Sequence, residues 1–426
     1  MARRDLARSA VAAAVLLILI ASMTLRGTRE FRRAAEQQQP QPLPPNVLQK
    51  FGLPLPGEPE PHVHTRVDAL TPGVAFLVKQ QSEDGAWRSD IYATFKDGPA
   101  LTPLVVCAIQ EAGEPGALAP GVQRATRKGC EYLAKMVKPD GTIENGESGL
   151  DYPAYTAALA VTALSHEVSR DPAVSADMAK ARDAWLKYLL DRQLTEKLGW
   201  KPEDKQYGGW GYCRLLPKKP EPGAFAPPLV ESNLSATVFA LEALKAAGVT
   251  DRAVYDKALV FVRRCQNPDG GFHFIYDDPV RNKAGKASDD PLTFNSYGST
   301  TADGLRCLIL AGEPDKAKIR AATDWLRTHF KAQSHPGTYV PAHEPNRNAV
   351  FFYYAASAAK ALRAAKVTDA GGKPWAGALK SELAKRQKAD GSWANPVELV
   401  RENDPIVATA FAVIALANCK AAAAGK

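Results

Sequence analysis

Gln81-Ser82-Glu83-Asp84-Gly85-Ala86-Trp87, Gln266-Asn267-Pro268-Asp269-Gly270-Gly271-Phe272 and Gln387-Lys388-Ala389-Asp390-Gly391-Ser392-Trp393 share the pattern Q-x-x-D-G-x-[WF]. Fainter copies stand at Pro139-Asp140-Gly141-Thr142-Ile143, at Gly208-Gly209-Trp210 and at Gln333-Ser334-His335-Pro336-Gly337-Thr338-Tyr339. Each residue type has its own duty in such a turn. Glycine takes the positive φ, Asp accepts from its own backbone two residues on, and Gln reaches backbone groups at a neighbouring helix end. The aromatic ring then covers the seam between adjacent segments. Gln81, Asp84, Gly85 and Trp87, with their counterparts in the other two strong copies, are therefore read as a repeated structural clasp and not as chemistry.

Working outward from the clasps, the chain reads as helix, helix, turn, repeated. Ala247-Gly248-Val249-Thr250-Asp251-Arg252-Ala253 parallels Ala311-Gly312-Glu313-Pro314-Asp315-Lys316-Ala317. In both, Gly ends one helix in a left-handed cap and Asp opens the next by accepting from free amides. Alternate helices differ in kind. Ala317 to Phe330 is amphipathic, with Ile319, Ala322, Leu326 and Phe330 on one stripe, whereas Ala157 to Leu164, Val238 to Leu244 and Ala408 to Ala417 are apolar on every side. A helix tolerates the second pattern only when enclosed. Inner helices are expected to begin near Asp97, Pro153, Ser232, Ser299, Asn348 and Asp404, and outer ones near Val67, Val122, Ala176, Asp251, Asp315 and Trp375. Two concentric rings joined by short turns make an all-α, six-hairpin α/α barrel, or toroid. The only strand-like pieces lie in Tyr207 to Arg214.

The 426 residues, 45% hydrophobic and 23% charged, exclude a disordered or collagen-like chain. Seven arginines in the first 33 residues, set against Asp5 and Glu30, supply five of the eight net positive charges. The remainder carries no basic excess suited to nucleic acid. Ser9 to Leu25 is an apolar run of 17 residues flanked by Arg, expected to be an uncleaved membrane anchor with the body exported to the periplasm or cell envelope. The organisation is then an anchor over 1–33, a Pro/Gln-rich linker over 34–64, a toroid over 65–420 and a tail over 421–426. His62 and His64 lack further metal ligands in that linker. The six cysteines have no paired spacing and imply neither a disulfide framework nor a zinc site.

The clasps and hairpins over about Val67 to Asn418 resemble the terpenoid cyclase and protein prenyltransferase superfamily, with its prenyltransferase/squalene-oxidase (QW) repeats. The chain looks like a single-barrel member akin to one half of a squalene-hopene cyclase. That resemblance implies a central apolar cavity for isoprenoid chains and membrane association. The family's chemistry is not written in the expected places. No D-x-D-D, whose central Asp protonates an alkene or epoxide, occurs; Tyr152-Pro153-Ala154-Tyr155-Thr156-Ala157 stands where it would be, and tyrosine is far too weak an acid. Asp277-Asp278-Pro279 and Asp289-Asp290-Pro291 read as turns. Of the prenyltransferase zinc ligands only an Asp survives, as Asp303, followed by Leu305 where a thiolate belongs and by aromatics at Phe351 to Tyr354 where a His belongs. No D-D-x-x-D is present for Mg²⁺. Neither metal nor cofactor is expected.

Because every clasp precedes an inner helix, the residues at the inner-helix starts open toward one mouth. Tyr92, Asp151, Tyr152, Tyr155, Asn233, Tyr297, Thr300, Arg347 and Phe352 are the candidate substrate-binding residues. Asp151, Asn233 and Asp404 also suit helix caps. Asp303 is the candidate catalytic residue: it lies inside a helix, where a buried carboxylate needs a partner, and Arg347 is one such partner. The expected function is an isoprenoid-binding, terpene-cyclase-like protein that takes no nucleic acid and meets the membrane through its N-terminal helix. A non-catalytic barrel binding a lipid or envelope partner is the alternative, and a carbohydrate-active barrel a third reading that the clasps disfavour.

Overall fold

The structure, a computed structural model, describes residues 68–425 apart from 114–115, 145–149, 171–174, 277, 279–280 and 291–292. The expected anchor, the linker with its two histidines, and Asp277, Pro279 and Pro291 lie outside the described residues.

Twelve α-helices follow one another among the described residues: α1 Leu70–Lys79, α2 Thr102–Ala112, α3 Ala119–Lys135, α4 Pro153–Arg170, α5 Ser175–Leu190, α6 Leu234–Ala246, α7 Arg252–Arg264, α8 Gly298–Ala311, α9 Lys316–His329, α10 Phe351–Ala364, α11 Trp375–Arg386 and α12 Pro405–Ala423. Their ends follow from local chemistry. Asp251 and Asp315 accept from the amides of Ala253 at 3.0 Å and Ala317 at 2.9 Å, starting α7 and α9. Gly312 closes α8 at φ 67°, a left-handed cap that a side chain would disfavour. The last helix runs on through 421–423, residues that the sequence suggested as a tail.

Burial separates two classes. In α12 every residue from Ile406 to Cys419 is buried, whereas α9 buries only Ala322, Trp325 and Leu326. By length and composition α12 could cross a membrane, but it is mostly buried inside the protein, and enclosure accounts for its apolar character. The even-numbered helices form a cycle of contacts: α2 packs on α4, α4 on α6, α6 on α8, α8 on α10, α10 on α12, and α12 returns to α2. The odd-numbered helices lie against them as hairpin partners.

Among the described residues strand structure is confined to β1 Asp369–Ala370 and β2 Lys373–Pro374, an antiparallel pair with Asp369 opposite Pro374, plus isolated bridges. The segment Tyr207 to Arg214, expected to be strand-like, has no strand. Gly208 instead donates to Leu194 O at 2.7 Å while Leu194 donates to Gly209 O at 3.0 Å, so its backbone is spent on a turn.

The turns between odd and even helices are cross-linked in a repeated way. Gln81 Nε2 donates to Gly85 O within its own turn and to Ala125 O in the next odd helix, both at 2.9 Å. Gln266 repeats this toward Lys318 O at 3.0 Å, and Gln387 toward Ala69 O at 2.9 Å, tying the last hairpin to the first. Gln193 does the same for the glycine-rich third turn, reaching Gly208 O at 2.8 Å and Val254 O at 3.0 Å. Asp84, Asp269 and Asp390 each accept from the amide two residues on. The rings of Trp87, Trp210, Phe272 and Trp393 are fully buried. Their amides donate to Thr102, Thr237, Thr301 and Thr409, one threonine on each following even helix. That threonine series went unremarked in the sequence, although it recurs at a matching place in four even helices.

Candidate functional site

Residues at or beside the starts of all six even helices, Leu101, Tyr152, Ser235, Ser299, Val350 and Val407 among them, come together at one end of the cycle. A cavity of about 380 Å³ opens there. Its wall is aromatic and aliphatic: Phe95, Tyr152, Tyr155, Tyr212, Phe239, Tyr297, Tyr353 and Phe411 contribute rings, and Leu101, Leu104 and Val407 fill between them. Several rings meet edge to face, as with Tyr155 and Phe239 at 4.9 Å and Tyr353 and Phe411 at 5.3 Å between centroids.

Asp303 of α8 faces this cavity and is itself buried. Its Oδ2 accepts from Tyr353 OH at 2.7 Å, and its Oδ1 from Ser357 Oγ at 2.5 Å and Arg306 Nη1 at 3.3 Å. Burial outweighs these donors and the Arg306 charge, raising its pKa from 3.8 to about 6. Arg306 continues the network to Glu242 at 2.6 Å, and Lys360 joins Glu242 to Glu111 at 3.5 and 2.5 Å. Burial disfavours the Glu242 charge, yet Arg306 and Lys360 hold its pKa down at about 2. A ladder of paired charges on the even helices thus supports Asp303 from below. Arg347, the partner expected for Asp303, is elsewhere: it pairs with Glu344 at 2.6 Å, donates to the carbonyls of His335 and Gly337, and stacks on Tyr339. The true partner, Arg306, lies one helical turn on from Asp303, the i,i+3 spacing at which two side chains share a helix face.

Of the other candidates, Tyr152, Tyr155, Tyr297 and Thr300 line the cavity. Tyr92, Asp151, Asn233, Arg347 and Phe352 do not appear among its lining residues. Tyr92 OH donates to Asn403 at 2.7 Å, Asp151 pairs with Arg214, and Asn233 caps α6 by accepting from Ala236 N at 2.9 Å. Phe352 contributes its amide, not its ring, as a donor to Glu402 at 2.9 Å.

Three charged lining residues escaped the sequence reading: Lys283, Arg401 and Glu402. Glu402 is buried and accepts from the amides of Phe352 and Tyr353 and from Asn395 Nδ2, yet burial still raises its pKa to about 7. Lys283 lies on a pinned loop. Asn282 beside it bonds Phe274 N at 2.7 Å and Ile275 O at 2.8 Å, and His343 bonds Lys283 O at 3.0 Å. Burial lowers the Lys283 pKa to about 8 against the attraction of Glu402. No regular periodicity marks a loop lysine or a Glu set among capping residues, so only the tertiary structure reveals them. Among the described residues no group of three or more His, Cys, Asp and Glu could hold a metal ion, and no disulfide joins the six buried cysteines.

No protein-family model matches the sequence, and no curated protein matches it. Among solved structures, a variant of type II terpene cyclase MstE from Scytonema in complex with merosterolic acid A (product) is similar, with a TM-score of 0.53 and 18% identity over 85% of this chain and 98% of that one. Another MstE variant, in complex with geranylgeranyl dihydroxybenzoate (substrate), gives 0.54 and 15% over 84% and 99%. At such identity the likeness is one of fold. The chain has a terpenoid cyclase-like fold.

Proposed function

We propose that the protein holds an isoprenoid or similarly elongated apolar molecule in this cavity, the hollow of a six-hairpin α/α barrel whose inner ring is the even-numbered helices. The carrying observation is the ring-lined cavity of about 380 Å³ with the Asp303 carboxyl on its wall. That volume falls in the range of small-molecule sites, roughly 300–1,000 Å³. The terpenoid ligands of the MstE structures support the same reading.

The geometry suits charge stabilisation and proton removal better than protonation of a plain alkene. An alkene is a very weak base, and an acid with a pKa of about 6 is a poor donor to it. As a carboxylate, however, Asp303 can accept a proton from a ligand carbon next to a cationic centre, while the faces of Tyr155, Phe239 and Phe411 stabilise that cation. Tyr353 and Ser357 hold the carboxylate in place. The test is incubation of the purified full chain with squalene, geranylgeraniol and prenyl diphosphates, followed by extraction and mass spectrometry beside a direct binding assay. Binding with product formation that is lost in Asp303→Asn is expected. Failure of every such lipid to bind overturns the reading.

A second reading, a non-catalytic lipid-binding barrel, is favoured by one observation: both Asp303 oxygens are already engaged by Tyr353, Ser357 and Arg306. It predicts binding without turnover in the same assay. In either case the apolar run from Ser9 to Leu25 anchors the chain in a membrane, with the body exported. Carbonate-resistant membrane association, lost when residues 1–33 are removed, is the expected fractionation result.

A further inference from the structure

Four charged residues face the cavity, and they are not equally matched. Asp303 has Arg306, and Glu402 has two backbone amides and Asn395. Lys283 and Arg401 have no carboxylate within ion-pairing distance among the described residues. The Lys283 ammonium lies over the face of Phe274 at 5.1 Å and is attracted by Glu402 without forming an ion pair with it. Arg401 is set among the rings of Tyr92, Phe95 and Tyr152 at 5.3 to 5.6 Å, and its Nη1 is buried without a hydrogen-bond partner.

Both cations are placed at a cost. Arg401 holds φ at 67°, a left-handed backbone that a non-glycine residue adopts only under constraint. The Lys283 loop is closed by the Asn282 bonds already described and by Val340 N to Ala284 O at 3.0 Å. A buried guanidinium nitrogen left unsatisfied is costly, and an incoming oxyanion would satisfy it with charge-assisted hydrogen bonds. The exposed Leu399 lies two residues from Arg401 on the same wall, which places Arg401 toward the rim, whereas Asp303 is buried deeper.

We propose that the ligand of this cavity carries an anionic head group, a carboxylate or phosphate, held by Arg401 and Lys283 while its apolar chain runs inward among the rings toward Asp303. The inference rests on the isoprenoid-binding reading above and narrows its substrate class from apolar chains at large to amphiphiles with an acidic end.

Three probes that share one chain and differ only at the head test it: geranylgeranoic acid, geranylgeranyl phosphate and geranylgeraniol, titrated calorimetrically into the full-length protein. At least one anionic probe should bind about tenfold or more tighter than the alcohol, as a charge-assisted bond requires. The preference should collapse toward unity in Lys283→Met or Arg401→Gln, each checked for an unchanged melting transition, and should persist in the exposed control Lys180→Gln. Should Arg401→Gln fail to fold, Lys283→Met alone carries the comparison. The tighter of the two anions names the head. Equal affinity for acid, phosphate and alcohol, or a preference that survives in the folded variants, overturns the anionic head while leaving isoprenoid binding intact. If none of the three binds, the cavity reading falls and this inference with it.

Discussion

Glu402 and Asp303 are acids kept near neutrality by burial, and this gives them a signature in stability. Glu402 titrates at about 7 in the folded chain and at 4.5 as its ordinary value. Between those values the folded state binds more protons than the unfolded one, so the Glu402 contribution is fully present below pH 4.5 and is lost as pH rises toward 7. The loss is on the order of 3 kcal/mol by the conversion of about 1.4 kcal/mol per pKa unit. Urea unfolding of the wild type and Glu402→Gln across this window should show the wild type falling relative to the variant; parallel curves would refute the assignment. Asp303 acts with the same sign between 3.8 and about 6. Asp303 was legible in the sequence because a carboxylate deep inside an apolar helix is anomalous by itself. Glu402 was not, since acidic and amide residues before a helix are ordinary, and the amides that bond it, those of Phe352 and Tyr353, are about fifty residues away in the chain.

At the scale of the elements, the clasp glycines are where sequence and packing agree most closely. Gly208 adopts φ 95°, and a Cβ there would stand 1.8 Å from Lys257 O. Gly208→Ala should therefore combine backbone strain with a steric clash, destabilising by about 3 kcal/mol or more in urea titration. Gly141, at φ 79° but with nothing within 4 Å of such a Cβ, should lose far less in Gly141→Ala. The contrast isolates the close approach from the turn. Thr409→Val removes the acceptor for Trp393 N and leaves a buried amide unpaired, at a cost of about 1–3 kcal/mol. Removing Thr368, which is exposed and bonded only to its neighbour Asp369, should change little. The helix boundaries were readable from caps and from all-round against one-sided hydrophobicity. The expected strand at Tyr207 to Arg214 failed because its glycines serve the clasp.

At the largest scale, closure of the helix cycle depends on contacts between its first and last hairpins. α12 packs on α2, and Gln387 donates to Ala69 O. Truncation before Pro405 should expose the inner faces of α2 and α10 together and abolish cooperative unfolding, read as loss of a single sigmoidal transition by circular dichroism; a truncated chain with an intact transition would contradict this account. The sequence alone determined the helical alternation and the repeated turns, and marked Asp303 as a candidate, because these depend on periodicity and on residues within a few positions of one another. Tertiary structure decided which side chains share the cavity. Lys283 comes from the joint before α8 and the adjacent Arg401 and Glu402 from the joint before α12, while Tyr353 and Ser357 reach Asp303 from α10, an outcome of packing that no local pattern encodes.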